Sequence, residues 1–285
     1  MRILVIGGTG NFGKVIFERL CFDPNIELLV SFSRNKPSKL HPNVNYVYGD
    51  SNSKIDLEKV LSTYLFDVVI HIPNILLAKM EDVIACCEVY QVKQIIVVGS
   101  AAMFTNLDAP TREIRLEKEQ IVRNSSIAHT ILRPNMVYGH RNDMNIYKLL
   151  VFLKKYRILF VPGSADVLQN PSHIEDFTQG VINALLNPKA FNKSYNLVGS
   201  MPVSLRDMAK ALMEGKRILI IEFPLWLGLF ALKSFRFLRL ANWHPEKLLR
   251  LNEQKILEST PDAFIHLEYQ PRSFVEGIKS YSRGN

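Results

Sequence analysis

The sequence is poor in cysteine, with only Cys21, Cys86 and Cys87 in 285 residues. Their spacing matches neither a zinc site nor a disulfide framework, so we predict no metal ion and a reducing, cytoplasmic environment. The most apolar stretch, residues 218–232, is interrupted by a glutamate, a proline and a glycine, and it falls short of a transmembrane helix. The first apolar run, Ile3–Ile6, is too short for a signal peptide. We therefore expect a soluble globular protein.

The chain also lacks a run of five or more basic residues, although its net charge is +8. Nucleic-acid-binding proteins concentrate Lys and Arg in a patch or stripe, so we predict no nucleic-acid partner. A dispersed positive charge is typical of a solvated surface, and it can attract a small anionic ligand. We expect the partner to be a small-molecule substrate.

Short apolar runs rich in Val and Ile alternate with helical patterns through the first 135 residues. Strands are predicted at Ile3–Ile6, Leu28–Phe32, Val44–Val47, Asp67–Ile70, Gln94–Val98 and Thr130–Leu132. Helices are predicted between them at Lys14–Leu20, Leu57–Leu65, Leu76–Tyr90 and Arg112–Asn124. This alternation predicts an α/β fold with a doubly wound parallel sheet of the Rossmann type. We assign residues 1–199 to this domain and residues 200–285 to a smaller C-terminal substrate lobe.

A glycine-rich loop follows the first predicted strand. Gly7, Gly10 and Gly13 are spaced as Gly-x-x-Gly-x-x-Gly, and the first predicted helix begins directly after them. Glycine at these places permits a tight turn, a close approach of the backbone to a pyrophosphate, and close packing of helix on strand. The helix N-terminus then presents free N–H groups to the phosphates. Between a strand and a helix, the motif predicts a dinucleotide-binding site.

The end of the second strand indicates which dinucleotide is bound. An acidic residue there would accept hydrogen bonds from the ribose of NAD, but residues 31–36 read SFSRNK. Arg34 is positioned to pair with a 2′-phosphate, with Ser33 and Lys36 as helpers, which favours NADP and leaves NAD as the second choice. The alternative is that Arg34 only faces solvent.

Several further segments match one family in order and spacing. They are the glycine loop Gly7–Gly13, Gly49-Asp50, Asp67–His71, Val98-Gly99-Ser100, Leu132–Gly139, His173–Asp176 and Pro271–Phe274. On these motifs, which extend over nearly all of the chain, the protein resembles the extended or atypical short-chain dehydrogenase/reductases. This is the group of NAD(P)-dependent sugar epimerases and dehydratases.

The resemblance implies a set of cofactor-binding residues on the glycine loop and at the ends of the following strands. They are Gly7, Thr9, Gly10, Asn11, Phe12, Gly13, Arg34, Asp50, Ser51, Ile72 and Pro134. It also implies a symmetric homodimer in which the helices predicted at Leu76–Tyr90 and Arg112–Asn124 pack against their mates. Val83, Ile84 and Cys87 give the first of these helices more apolar surface than a single core contact needs.

The acid–base pair of the family is missing from its expected place. Family members carry a tyrosine four residues ahead of a lysine, whose charge lowers the pKa of the tyrosine. The resemblance puts Thr111 and Arg115 at these two positions, and no tyrosine occurs between Tyr90 and Tyr138. Arg115 can still bind the cofactor ribose. The Thr111 hydroxyl is too weak an acid to replace a phenol, so proton transfer needs a water, a substrate group or a carboxylate such as Glu113.

Ser100, Thr111 and Arg115 are therefore the predicted catalytic residues. In the family, the serine at the Ser100 position hydrogen-bonds the substrate; the alternative is a strand-end cap without a chemical role. We expect an NADP(H)-binding oxidoreductase or isomerase that acts on a carbonyl or hydroxyl of a nucleotide-sugar-like substrate with degenerate Tyr/Lys machinery. The rival function is that of a non-catalytic NADP-binding sensor or assembly factor.

Residues 224–243 form a segment in which aromatic and basic side chains alternate, including Trp226, Phe230 and Lys233. The resemblance puts this segment in the substrate lobe. Three roles are open for it: a lid over an anionic substrate, a helix that rests on a membrane surface, or simple packing of its apolar side against the core.

Overall fold

The computed structural model describes residues 1–37, 40–141, 143, 145–237, 245–254 and 256–281. Its strands are β1 Arg2–Ile6, β2 Leu28–Ser33, β3 Asn45–Tyr48, β4 Val68–His71, β5 Gln94–Val98, β6 Ala128–Pro134, β7 Ile158–Pro162, β8 Leu168–Gln169, β9 Lys193–Leu197, β10 Val203–Ser204 and β11 Leu219–Phe223. Its α-helices are α1 Asn11–Leu20, α2 Lys54–Thr63, α3 Met80–Val89, α4 Pro110–Arg123, α5 Ile146–Tyr156, α6 Ile174–Asn183, α7 Leu205–Leu212, α8 Leu225–Phe237, α9 Pro245–Asn252, α10 Pro261–His266 and α11 Phe274–Ile278.

Seven strands form one parallel sheet in the order β3-β2-β1-β4-β5-β6-β9. The central strands β1, β4 and β5 are buried on both faces, which explains why their sequences are continuous apolar runs. One face packs against α1 and α6, and the other packs against α2, α3 and α4. The predicted α/β fold with a doubly wound sheet is confirmed.

Several helix boundaries differ from the sequence prediction, and at two of them a polar side chain caps the observed start. The helix predicted at Leu76–Tyr90 is divided into a 3₁₀ turn at Ile75–Leu77 and α3, which begins at Met80. The side chain of Asn74 accepts a hydrogen bond from the N–H of Leu76 and caps this turn. Similarly, Ser53 caps α2, which starts three residues before the predicted Leu57.

The smaller lobe contains two short sheets. In one of them β7 pairs with β11 in parallel, and in the other β8 pairs with β10 in antiparallel orientation. Each pair joins one strand from before residue 199 to one from after it. The domain boundary at residue 199 stays a prediction, and the chain on its two sides contributes to the same small sheets.

The apolar residues that suggested a dimer surface lie in the core of the chain. Val83, Ile84 and Cys87 pack on the sheet in the same cluster as residues of β4 and β5. Burial also raises the pKa of the Cys87 thiol. The homodimer stays a prediction and loses this support. Every helix in the described part of the chain is too short or too polar to span a lipid bilayer.

Candidate functional site

The glycine loop adopts a backbone path that only glycine fits. Gly7 has a φ of +83°, and its N–H donates to the carbonyl of Phe32 at 2.9 Å, which ties the loop to β2. A Cβ atom on Gly13 would lie 2.1 Å from the carbonyl oxygen of Gly7. The first turn of α1 therefore lies directly against the end of β1, as the sequence predicted.

The N-terminus of α1 is open toward this loop. Its N-cap is Gly10, which has no side chain to accept a hydrogen bond, and the first turn carries no acidic residue. The first helical hydrogen bond runs from the N–H of Lys14 to the carbonyl of Gly10, at 2.8 Å. The N–H groups of residues 11–13 thus remain available to an anion at the positive end of the helix dipole.

A groove of about 450 Å³ runs along the carboxyl ends of β1, β2 and β4. Among the predicted cofactor residues, it is lined by Gly7, Thr9, Gly10, Phe12, Gly13, Arg34, Asp50, Ser51 and Ile72. The predicted Asn11 has its side chain outside the described residues, and Pro134 is buried at the end of β6. The sequence reasoning missed further wall residues, which are Asn35, Asn52, Pro73 and Asn74.

Arg34 stands exposed at the rim of the groove. Its guanidinium has no hydrogen-bond or ion-pair partner within the ranges that the structure describes. Ser33 beside it is buried, and its Oγ accepts a hydrogen bond from the N–H of Thr9 at 3.4 Å. The side chain of Lys36 turns away from the groove, and its ammonium lies 5.9 Å from the centre of the Tyr48 ring. Of the three polar candidates at the end of β2 and just after it, Arg34 is therefore the one with free donors at the groove.

Ser100 lies at the end of β5 and makes a local contact. Its Oγ accepts a hydrogen bond from the N–H of Ala102 at 3.2 Å, which caps the 3₁₀ turn Ala101–Phe104. This is the contact expected of a strand-end cap. The role of Ser100 toward a substrate stays a prediction.

Helix α9 brings two charged residues from the lobe to the predicted acid–base position. The hydroxyl of Thr111 donates to Oε1 of Glu246 at 2.6 Å and accepts from Nη2 of Arg250 at 2.8 Å. Glu246 and Arg250 are also ion-paired, at 2.5 Å. Nη1 of Arg115 donates to the carbonyl of Thr111 at 2.8 Å. The four residues form a cluster, which we call the Thr111 cluster.

The Thr111 cluster contains two guanidinium groups and one carboxylate. Arg115 is only 7% exposed, and burial together with the neighbouring charge of Arg250 lowers its pKa to about 10. The Nε atoms of Arg115 and Arg250 are buried and have no hydrogen-bond partner among the described residues. With two guanidinium groups and one carboxylate, the cluster has one positive charge in excess, and this charge favours an anionic group beside it.

Glu113, the carboxylate suggested by the sequence, does not belong to this cluster. Its side chain is exposed and is ion-paired with Arg112 at 2.5 Å. Sequence reasoning missed Glu246 and Arg250 because the region around α9 carries no recognisable motif. The described residues also contain no group of three or more metal-binding side chains.

A buried ion pair supports the strand ends beneath the site. Arg133 on β6 holds the carboxylate of Glu119 on α4 through Nε at 2.9 Å and Nη2 at 2.6 Å. Arg123 binds the same carboxylate at 2.6 Å. A Cβ atom on Gly99 would lie 2.9 Å from Oε1 of Glu119, so the carboxylate packs directly against the backbone at the end of β5. Glu119 was not singled out from the sequence.

Known structures share this architecture. The UDP-glucuronic acid 4-epimerase from Bacillus cereus, in complex with NAD, matches 98% of this chain and 97% of its own with a TM-score of 0.77 and 18% identity. The fold is that of the extended short-chain dehydrogenase/reductases. The UDP-glucose 4-epimerase from Thermotoga maritima matches the same shares of the two chains, with a TM-score of 0.76 and 15% identity. The resemblance inferred from the sequence is confirmed.

Sequence comparison gives two further similar proteins, both at low identity. The Escherichia coli O157:H7 N-acetyl-alpha-D-glucosaminyl-diphospho-ditrans,octacis-undecaprenol 4-epimerase is 22% identical over 262 residues, which are 80% of this chain and 77% of that protein. The chloroplast stem-loop binding protein of 41 kDa b from Arabidopsis thaliana is 23% identical over 235 residues, 74% of this chain. The match spans 62% of the Arabidopsis protein's length. No family model matches the chain.

Proposed function

We propose that the protein is an NADP(H)-dependent epimerase that acts on a hydroxyl of a sugar attached to a diphosphate. The observation that carries the proposal is the Thr111 cluster, where a carboxylate and two guanidinium groups meet at the position of the family's acid–base pair. The two UDP-sugar epimerases and the undecaprenyl-diphosphate-sugar epimerase named above support the class of substrate.

The groove fits a nicotinamide dinucleotide. The close contact of Gly13 with Gly7 holds the first turn of α1 against the loop, and the open N-terminus of α1 supplies hydrogen-bond donors for a phosphate group. Asp50 and Ser51 line the groove where the family holds an adenine ring. The structurally similar Bacillus epimerase contains NAD, which supports a nicotinamide cofactor. The unpaired Arg34 at the rim supports NADP as the preferred form.

We expect the Arg34→Ala variant to lose most of the preference for NADPH over NADH. A charge-assisted contact between Arg and phosphate contributes about 1.5–3 kcal/mol, which corresponds to about a 10- to 150-fold weaker affinity for NADPH. NADH affinity should not change. Titration calorimetry with both cofactors measures the two affinities.

Arg19→Ala is the matched control for this test, because it removes the same charge from the exposed end of α1, where the one side-chain partner of Arg19 among the described residues is Gln179 at 3.0 Å. It should leave the NADPH-to-NADH ratio unchanged. Equal affinity of the wild-type protein for the two cofactors would contradict NADP preference.

The Thr111 cluster has the groups that proton transfer from a sugar hydroxyl requires. The nicotinamide, when bound, takes up and returns the hydride. Glu246 accepts the hydroxyl proton as the carbonyl forms and returns it when the hydroxyl is restored on the opposite face. Arg115 and Arg250 stabilise the negative charge that develops on the sugar oxygen. Thr111 acts as a positioning residue, because its hydroxyl fixes the carboxylate of Glu246 at 2.6 Å.

The direct test is an epimerisation assay with the purified protein and NADP⁺ or NAD⁺. UDP-glucose, UDP-N-acetylglucosamine, UDP-glucuronic acid and undecaprenyl-diphosphate-linked N-acetylglucosamine are the substrates to compare. We expect one of them to be converted to its C4 epimer, which chromatography detects. Tight cofactor binding with no conversion of any of the four would contradict the proposal.

A non-catalytic NADP-binding sensor is the second candidate. The contacts within the Thr111 cluster favour it. The Thr111 hydroxyl already donates to Glu246 and accepts from Arg250, and the Glu246 carboxylate is already paired with Arg250. A sensor of this kind would change shape on binding NADPH without converting a sugar. Hydrogen exchange of α9 with and without NADPH, measured beside the epimerisation assay, distinguishes the two candidates.

A further inference from the structure

The parallel pair β7 and β11 is apolar on both faces. The register sets Leu219 opposite Ile158 and Ile221 opposite Phe160. On one face, Leu159 and Val161 pack with Ile220 into a cluster that also contains residues of α5 and α7. The other face carries Ile158, Phe160, Pro162, Leu219, Ile221 and Phe223. Only one apolar face is needed for the core of the lobe, so the second requires another explanation.

Helix α8 covers only part of this second face. A Cβ atom on Gly228 would lie 2.5 Å from Cβ of Pro162, so the helix crosses the sheet at the end of β7. Phe160 and Leu219 remain more than half exposed, at 55% and 58%. On α8 itself, Trp226 and Phe230 are 65% and 67% exposed and lie one helical turn apart, on the side of the helix that faces away from Gly228 and the sheet. These four residues, with Ile221 and Leu227, form what we call the outer face of the lobe.

The surroundings of the outer face are strongly basic. Residues 157–162 and 215–237, which include β7, β11 and α8, contain five Lys and Arg and one acidic residue. Arg157, Lys216 and Arg217 are exposed at the edge where the strands begin, and the carbonyl of Arg157 accepts the N–H of Leu219 at 3.0 Å. The acidic residue, Glu222, is engaged by Arg206 at 3.1 Å.

We propose that the outer face is a docking surface for an anionic lipid bilayer. Exposed aromatic and aliphatic side chains insert at the boundary of headgroups and acyl chains, while a basic rim is attracted to anionic headgroups. A second copy of the chain would bring two basic rims together, which charge repulsion opposes. This inference is independent of the epimerase activity. Trp243 and Arg239, in the same aromatic and basic segment, lie outside the described residues.

Vesicle flotation tests the proposal with the full-length protein. We expect wild-type protein to float with vesicles of phosphatidylcholine and 30% phosphatidylglycerol, and to stay in solution with phosphatidylcholine alone. The Trp226→Ser, Phe230→Ser double variant should bind the anionic vesicles at least tenfold more weakly. The Lys216→Glu, Arg217→Glu double variant should fail to bind the anionic vesicles even at low salt, where charge attraction is strongest.

The matched control is the Phe264→Ser, Ile265→Ser double variant, which removes two exposed apolar side chains from α10, a helix that packs on the core of the large sheet and not on β7 or β11. It should float like the wild type. Circular dichroism and NADPH binding confirm that each variant is folded. Absence of wild-type flotation, equal flotation with neutral vesicles, or a dimer in light scattering that the Trp226 and Phe230 changes abolish would each overturn the proposal.

Discussion

Replacing Glu246 with glutamine is expected to lower kcat by about 10²–10⁴-fold, the usual cost of losing a positioned acid–base group. Glutamine keeps the size of the side chain and can still accept hydrogen bonds from Thr111 and Arg250, so α9 should stay in place. The amide cannot take up the proton of the sugar hydroxyl. The affinity for NADPH should be unchanged, because Glu246 does not line the cofactor groove.

Steady-state kinetics over a range of pH provides the measurement. In the variant kcat should be low at every pH, because the amide cannot accept the proton at any of them. Glu113→Gln is the control, since this exposed carboxylate lies two residues from Thr111 but is paired with Arg112. A purely structural role of Glu246 would raise KM and leave kcat and its pH dependence unchanged, and that result would contradict the proposed chemistry.

Replacing Glu119 with glutamine is expected to lower the free energy of unfolding by about 3–5 kcal/mol. The carboxylate is 1% exposed and compensates Arg133, which is itself 8% exposed in its side chain. The neutral amide would leave a buried guanidinium without its counter-ion, which costs far more than the loss of an exposed pair. Urea denaturation followed by circular dichroism gives the change.

Glu117→Gln is the control on the same helix, where the exposed side chain should contribute within about 0.5 kcal/mol. The double variant Glu119→Leu, Arg133→Met removes both charges and should recover much of the lost stability. A Glu119→Gln protein as stable as the Glu117→Gln protein would show that solvent compensates Arg133 without the carboxylate.

The cofactor half of the site could be predicted from the sequence because its signals are local. The glycine loop is a consecutive segment, and its place between an apolar run and a helix already determines what the backbone must do there. Arg34 and Asp50 follow directly after β2 and β3, so strand prediction alone puts them at one edge of the sheet.

The catalytic half could not be predicted in the same way. Glu246 and Arg250 reach Thr111 across 135 and 139 residues of chain, and no periodic pattern specifies such a contact. The short strands β8 and β10 have two residues each, too few for an alternating pattern. Glu119 appears in the sequence as one more charge on a helix, and only the packing of α4 against β6 shows that it is buried.

The position of Glu246 and Arg250 on the lobe, opposite Thr111 and Arg115 on α4, has a thermodynamic consequence. A sugar whose reacting oxygen contacts both guanidinium groups would bridge the two parts of the molecule, so it would bind only while α9 is docked. By linkage, such a ligand at 100 times its Kd would favour the docked form by about 2.7 kcal/mol. Bound substrate would then stabilise the contact between the lobe and the sheet, and α9 would detach more easily in the protein without substrate.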